Sequence, residues 1–124
     1  MIVGVGFDLI EIDRVRGLID KHGDGFLDRV MHGDESRARL NTPNGPTHLA
    51  GLFAAKEAVM KALGTGMAGA AFTEIAIRHT DGGQPYVELH GGAAERAKEL
   101  EVESWHLSIS HSKQTAGAVA IASR

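Results

Sequence analysis

The chain of 124 residues has no cysteine, which removes disulfide frameworks, thiolate metal sites and cysteine nucleophiles together. Aromatic residues make up only 5% of it, so a core has to be assembled mostly from Leu, Ile, Val and Ala. A basic surplus is missing too. The formal net charge is -3, whereas nonspecific nucleic-acid binding depends on a basic surface that displaces counterions from phosphates. Any anion must therefore be met locally. Apolar runs stay far below the ~20 residues a membrane-spanning helix needs, and Met1 leads straight into a strand-like segment instead of a basic, cleavable leader. The expectation is a cytoplasmic protein without a membrane segment. Tandem repeats and low-complexity tracts are also absent from the sequence.

What remains is ordinary for a globular protein: 43% hydrophobic and 23% charged residues. A length of this kind suits one domain over residues 1–124, large enough for a core but with a modest margin of stability. The stretch Leu49 to Gly66 organises it. At about 100° per residue, Leu49, Leu52, Phe53, Val59, Met60 and Leu63 share one helical face and alanines fill most of the rest. Thr47 is placed to cap the helix start, and Gly64-Thr65-Gly66 supplies the stop. Glu57 and Lys61, four residues apart, stack at the border of the apolar stripe, and Lys56 projects from its middle. Two readings stay open for these three. One is an intrahelical ion pair beside a lysine whose stem is covered while its amine reaches water; the other is a carboxylate and two ammonium groups held rigidly beside a glycine turn to meet an anionic ligand.

From Ile2 to Asp8 the sequence alternates, with Val3, Val5 and Phe7 on one face and Ile2, Gly4, Gly6 and Asp8 on the other. Two glycines in a strand mark the close approach of a backbone or ligand, with Asp8 at the end of the bare face; an exposed strand-end aspartate is the plainer possibility. Ile12, Val15, Leu18 and Ile19 predict a helix ended by Gly23, and Phe26 to Met31 a second short one. Charges of both signs alternate from Asp13 to Arg39, a solvated face in which Arg14, Arg16 and Lys21 could also offer an edge to an acidic protein. Asn41 to Thr47 predicts a loop, Phe72 to His79 and Pro85 to His90 a hairpin around Asp81-Gly82-Gly83, and Ala93 to Leu100 a helix. Trp105 to His111 and Ala116 to Ala122 follow as strands. This order contains no βαβ repetition, so the expected architecture is α+β, a largely antiparallel sheet with a long central helix.

If these elements converge, Asp8, Glu57, Lys61, Ser110 and His111 meet. Two carboxylates without paired histidines suit a hard cation such as magnesium, not zinc, and a nearby lysine can neutralise charge on a phosphate oxygen. The other histidines, at 22, 32, 48, 79, 90 and 106, lack metal-ligand spacing and read as surface or hydrogen-bonded side chains.

GFDLIEIDRV near the start, FAAKEAVMKALGTG in the centre, GGQP in the hairpin and SISH near the end together resemble the holo-[acyl-carrier-protein] synthases, the small single-domain phosphopantetheinyl transferases. The match runs in order through nearly the whole chain. The resemblance implies transfer of phosphopantetheine from coenzyme A to a serine of apo acyl carrier protein, in support of fatty acid biosynthesis, with release of adenosine 3',5'-bisphosphate. It implies Mg2+ held by Asp8 and Glu57, Lys61 assisting the departing phosphate, and Glu57, relayed by water, or His111 directly as general base, with Glu57 preferred. Coenzyme A contacts are implied at Gly83, Gln84, Pro85, Ser110, His111, Thr65 and Gly66, and the assembly as a homotrimer with sites shared between chains. Two positions depart from the family pattern: Leu52 and Gln84 stand where relatives carry basic residues, which shifts phosphate binding toward Lys56, Arg78 or a neighbouring chain. Ser112 replaces an acid that in some relatives could orient His111. A magnesium-dependent phosphoanhydride hydrolase and a catalytically silent nucleotide-binding oligomer are the competing readings.

Overall fold

The computed structural model describes residues 1–33, 35, 37–66 and 70–124. The alternating start forms β1 (Ile2–Glu11), which passes directly into α1 (Ile12–His22) and, beyond Gly23, α2 (Asp24–Val30). A 3-10 turn (Ala38–Asn41) precedes the long α3 (Gly45–Leu63), and a second one (Phe72–Glu74) leads into the hairpin β2 (Ile75–His79) and β3 (Pro85–Leu89). Then come α4 (Gly91–Glu99), β4 (Ser104–His111) and β5 (Thr115–Ser123). Every pairing is antiparallel, in a three-stranded sheet ordered β1-β5-β4 and a separate two-stranded sheet β2-β3. The α+β architecture with a long central helix is the one the sequence led us to expect.

Helix α3 is buried over most of its circumference, from Leu49, Ala50 and Leu52 through Ala54, Ala55, Ala58, Val59 and Met60 to Leu63. A helix that is apolar nearly all round has to be wrapped by other elements rather than laid on one of them. Strand β1 crosses it most closely. A Cβ on Gly4 would stand 2.0 Å from the Ala62 carbonyl oxygen, and one on Gly6 would stand 1.7 Å from that of Ala58. The bare face read from the sequence is therefore the seat of a helix backbone. Alanines on the other side of the seam, Ala116, Ala118, Ala120 and Ala122 of β5, keep this layer equally thin.

Several boundaries differ from expectation. Strand β1 runs on to Glu11, so Asp8 stands within it and not at its end, and α4 starts at Gly91, ahead of Ala93. The helix begins before Thr47: Asn44 is its N-cap, and Pro46 sits in the first turn, where the missing N–H has no helical partner to lose. Residues 41–47 are thus a 3-10 end, a short turn and a helix start rather than one loop. The C-terminal stop is as read, with Gly64 in the left-handed region (φ 72°). Phe72–Glu74 is a 3-10 turn and not the head of a strand, because the Glu74 carboxylate accepts from the amides of Ala71 (2.8 Å) and Gly92 (2.6 Å) and ties this corner to α4.

The uncovered apolar surface lies on the opposite side of β1. Val5, Phe7 and Leu9 are 57%, 55% and 60% exposed; across the ladder they pair with Ile121, Val119 and Gly117 of β5. The face left without a cover is the apolar one and not the glycine one.

Candidate active site

Asp8 follows Gly4 and Gly6 at strand period, so its carboxylate turns toward α3 at the point where the glycines have drawn the helix in. Lys61 completes the crossing. Its Nζ donates to the Phe7 carbonyl at 2.9 Å and to Asp8 Oδ1 at 3.1 Å; the Asp8 side chain is 15% exposed and that of Lys61 53%. The ammonium is directed across to β1 rather than spent on an intrahelical pair with Glu57.

Glu57, one turn before Lys61, belongs to the same group. Burial pushes its carboxyl above the ordinary value of 4.5, the Asp8 carboxylate pushes it further, and Lys61 and Arg14 pull it back. Asp8 and Glu57 are therefore near enough for their charges to oppose one another. Their donors are all oxygen, which fits magnesium. Among the described residues no group of three or more His, Cys, Asp and Glu side chains comes together, so water and ligand oxygens would have to complete the shell.

The Glu57 shift has a measurable consequence for stability. A carboxyl that holds its proton more tightly when folded stabilises the fold at low pH, and that contribution is lost as the pH rises through the folded pKa. Glu57→Gln should accordingly melt above the parent near neutral pH without divalent cations, and the gap should close toward pH ~4, where both forms are neutral. Magnesium should narrow the neutral-pH gap by stabilising the parent alone. Thermal melts at the two pH values, with and without the metal, measure it.

The remaining site residues form other groups. Gly83 and Pro85 of the hairpin turn line a cavity of ≈ 170 Å³ with His48, Gly51, Leu52, His79 and Ile109. Asp8, Glu57 and Lys61 do not line it. The turn is held by the amide of Gln84 donating to Thr80 Oγ1 at 3.1 Å and by that of Thr80 to the Gln84 carbonyl at 2.9 Å. His111, exposed at the end of β4, faces a larger cleft of ≈ 740 Å³ with Arg39, Thr47, His48 and Lys113. Ser110 opens on the outer sheet face beside Phe7 and Leu9. Thr65 and Gly66 follow the α3 stop, where Thr65 Oγ1 donates to the Gly66 carbonyl at 3.1 Å. The chain thus carries one group on β1 and the C-terminal half of α3, and another around the N-terminal half of α3.

Lys56 requires a correction. Its amine neither escapes to water nor reaches a ligand: it is 0% exposed and donates to the carboxylate of Glu35 and to the carbonyls of Val30 and Phe72. Three acceptors saturate the three N–H bonds of an ammonium, so nothing is left for a phosphate. Burial lowers its pKa, and Glu35 opposes the shift.

The sequence reading passed over Arg39 and His48. With Arg78, His79 and Tyr86 they line a cavity of ≈ 360 Å³ above Leu52. Burial lowers the His48 pKa, helped by the charges of Arg39 and His79 and opposed by Glu35. No local signal could have joined residues so far apart in the chain. Two further histidines, His32 and His90, stack their rings at 4.2 Å.

The family model of the 4'-phosphopantetheinyl transferase superfamily matches residues 4–120. The chain belongs to this family. It is 49% identical to the holo-[acyl-carrier-protein] synthase of Solidesulfovibrio magneticus over 122 residues, 98% of each chain. In structure it superposes on the holo-[acyl-carrier-protein] synthase of Neisseria meningitidis with a TM-score of 0.90, at 32% identity and covering 100% of both chains. The synthase from Bacillus anthracis, solved in complex with CoA (3',5'-ADP), matches with a TM-score of 0.79 at 36% identity, over 98% of this chain and 96% of that one. The resemblance read from the KEAVMKALGTG block and its flanking motifs is borne out, and the chain is a phosphopantetheinyl transferase.

Proposed function

We propose that this transferase moves the phosphopantetheine arm of coenzyme A onto a serine hydroxyl of an apo acyl carrier protein, with magnesium, and releases adenosine 3',5'-bisphosphate. The meeting of Asp8, Glu57 and Lys61 between β1 and α3 carries the reading. When bound, magnesium would be held by Asp8 and Glu57 and would neutralise charge on the diphosphate. The protein's own contribution is position and charge. The serine oxygen attacks the phosphorus that bears the pantetheine arm, the phosphoanhydride bond breaks, and the nucleotide leaves with the bridging oxygen. Lys61, on the open side of Asp8, donates to that departing oxygen. The serine proton goes to Glu57, relayed by water, or to His111; Glu57, which stands in the same group as Lys61 and Asp8, is the preferred base. Gly83, Gln84, Pro85, Ser110, His111, Thr65 and Gly66 are the contacts for the rest of coenzyme A, and Arg39 and Arg78 stand in for the basic residues replaced by Leu52 and Gln84. Lys56 has no part in this contact set.

The carrier protein is read as that of fatty acid biosynthesis and the compartment as the cytoplasm. A mass-shift assay decides the reaction: apo carrier protein incubated with coenzyme A and magnesium should gain the phosphopantetheine mass, and a chelator should abolish the gain. Consumption of coenzyme A without a shift would instead favour a phosphoanhydride hydrolase.

The assembly follows as a homotrimer with sites between chains. Exposed Val5, Phe7 and Leu9 form an apolar strip of a kind monomers seldom present, and the hairpin turn and the acidic group lie on different parts of one chain, as a site completed by a neighbour would require. Sedimentation should find a trimer, and Phe7→Glu should dissociate it with loss of transfer; full activity in a monomer would refute shared sites.

A further inference from the structure

Glu35 and Lys56 are the two buried charged residues among the described ones, with side chains 1% and 0% exposed. Neither touches the acidic group. Their hydrogen bonds join five segments of the chain. Glu35 Oε1 accepts from the Lys56 ammonium and from the amide of His32 at 2.7 Å, and Oε2 accepts from the amide of Ile77 at 2.9 Å. Lys56 adds bonds to the Val30 carbonyl at the end of α2 and to that of Phe72, at 3.2 Å, in the 3-10 turn.

The Ile77 bond gives the pair its significance. Ile77 pairs with Val87 on one side of β2, and its amide turns to Glu35 in a bond outside that ladder. Two residues further on, His79 pairs with Pro85, the last residue of the turn Gly83-Gln84-Pro85. On the other side, Lys56 precedes Glu57 directly on α3, about 100° around the helix axis. A rigid strand and a rigid helix are thus pinned to each other through one carboxylate.

Stability alone does not account for such a pair. Burying two charges costs about as much as their attraction returns, and apolar replacements of similar volume are commonly neutral or stabilising. We infer that Glu35–Lys56 is a positioning clamp, which sets the β2–β3 hairpin and its turn at a fixed place against α3 and so determines how tightly coenzyme A is held. The inference rests on the proposed role of that turn in coenzyme A binding. Lys56 is fully buried, and Glu35, its side chain 1% exposed, shares with Ile77 the wall of the ≈ 360 Å³ cavity beside Arg39 and Arg78. The pair therefore acts through the hairpin, and the faster exchange expected at Ile77 is the readout that a lost direct contact of Glu35 would not give.

The experiment uses the full chain with Glu35→Leu and Lys56→Met combined, so that no lone charge is buried. The melting temperature should stay at or above the parent's, the KM for coenzyme A should rise at least tenfold, and kcat at saturation should stay within about threefold. Amide exchange at Ile77 should accelerate. Should the double variant not fold, Glu35→Asp keeps the charge pair but withdraws the carboxylate by one methylene from the Ile77 amide, and a KM increase of threefold or more is expected. A folded variant whose KM stays within twofold of the parent overturns the clamp. The parent is the control for the underlying reading: if calorimetry finds no coenzyme A binding by the parent itself, the proposed role of the turn fails and the clamp fails with it, whereas a tightly binding parent and an equally tight double variant refute the clamp alone.

Discussion

Glu57→Gln lowers kcat/KM for carrier-protein modification by about 100-fold to 10,000-fold, the range a positioned general base contributes, while the folded protein becomes harder to melt near neutral pH. The two effects have one origin. Burial and the Asp8 carboxylate raise the Glu57 pKa, so the ionised form is a standing cost to the fold, and the neutral amide removes it together with the negative charge that the proposed metal site and proton transfer rely on. A variant that had simply lost structure would lose activity and melt lower. Lys61→Met offers the comparison: it removes the bonds to Phe7 O and Asp8 and should reduce kcat with less change in coenzyme A affinity, since the work proposed for it is on the departing oxygen. If Glu57→Gln turns over at near-parental rate with magnesium present, while His111→Ala does not, then His111 accepts the serine proton and Glu57 serves only the metal. Activity against pH separates the two, because loss of Glu57 as base removes the acid limb of the profile.

Particular residues show which parts of this arrangement were legible before the structure. The two glycines of β1 could be read as a place of close approach because nothing else explains bare positions on an otherwise apolar strand; that the partner is a helix backbone is consistent with the alanines at 58 and 62 on the facing turn. Helix α3 announced itself by period, but its start moved to Asn44 because proline in the first turn is as good a beginning as it is a loop former. The pairing of Asp8 with Lys61 spans 53 positions, and only the family resemblance, not spacing, brought these residues together. Lys56 was the least legible. A lysine in an apolar stripe normally lets its amine reach water; here a carboxylate 21 positions away and two carbonyls receive it instead. Arg39, His48 and His79 escaped for the same reason, since a cavity wall gathered from three segments has no local pattern; Arg78, on the same wall, came forward only through the family resemblance.

Gly6→Ala should be the most damaging single methyl in the chain. The added carbon would sit 1.7 Å from the Ala58 carbonyl oxygen, 2.6 Å from its carbon and 2.9 Å from the Ala62 amide nitrogen. All three are backbone atoms of a helix buried over most of its circumference, so no side chain can swing aside, and α3 or β1 has to move by an ångström or more. Overpacking of this kind costs at least about 3 kcal/mol, which for a domain of this size lowers Tm by roughly 10 °C or more. Gly17→Ala is the matched control: it lies inside α1, its Cβ would meet nothing within 4 Å, and the helix should gain about 0.5–1 kcal/mol. The chemical prediction is sharper than the thermal one. Asp8 rides on β1 two residues beyond Gly6, while Glu57 and Lys61 flank Ala58 on α3, so displacing one element from the other separates the acids from each other and the lysine from its strand. Below its melting temperature, Gly6→Ala should therefore be folded but deficient in kcat, and should need more magnesium for half-maximal rate. Parental kcat and magnesium dependence in a folded Gly6→Ala protein would mean that the distance between β1 and α3 is not what sets the site.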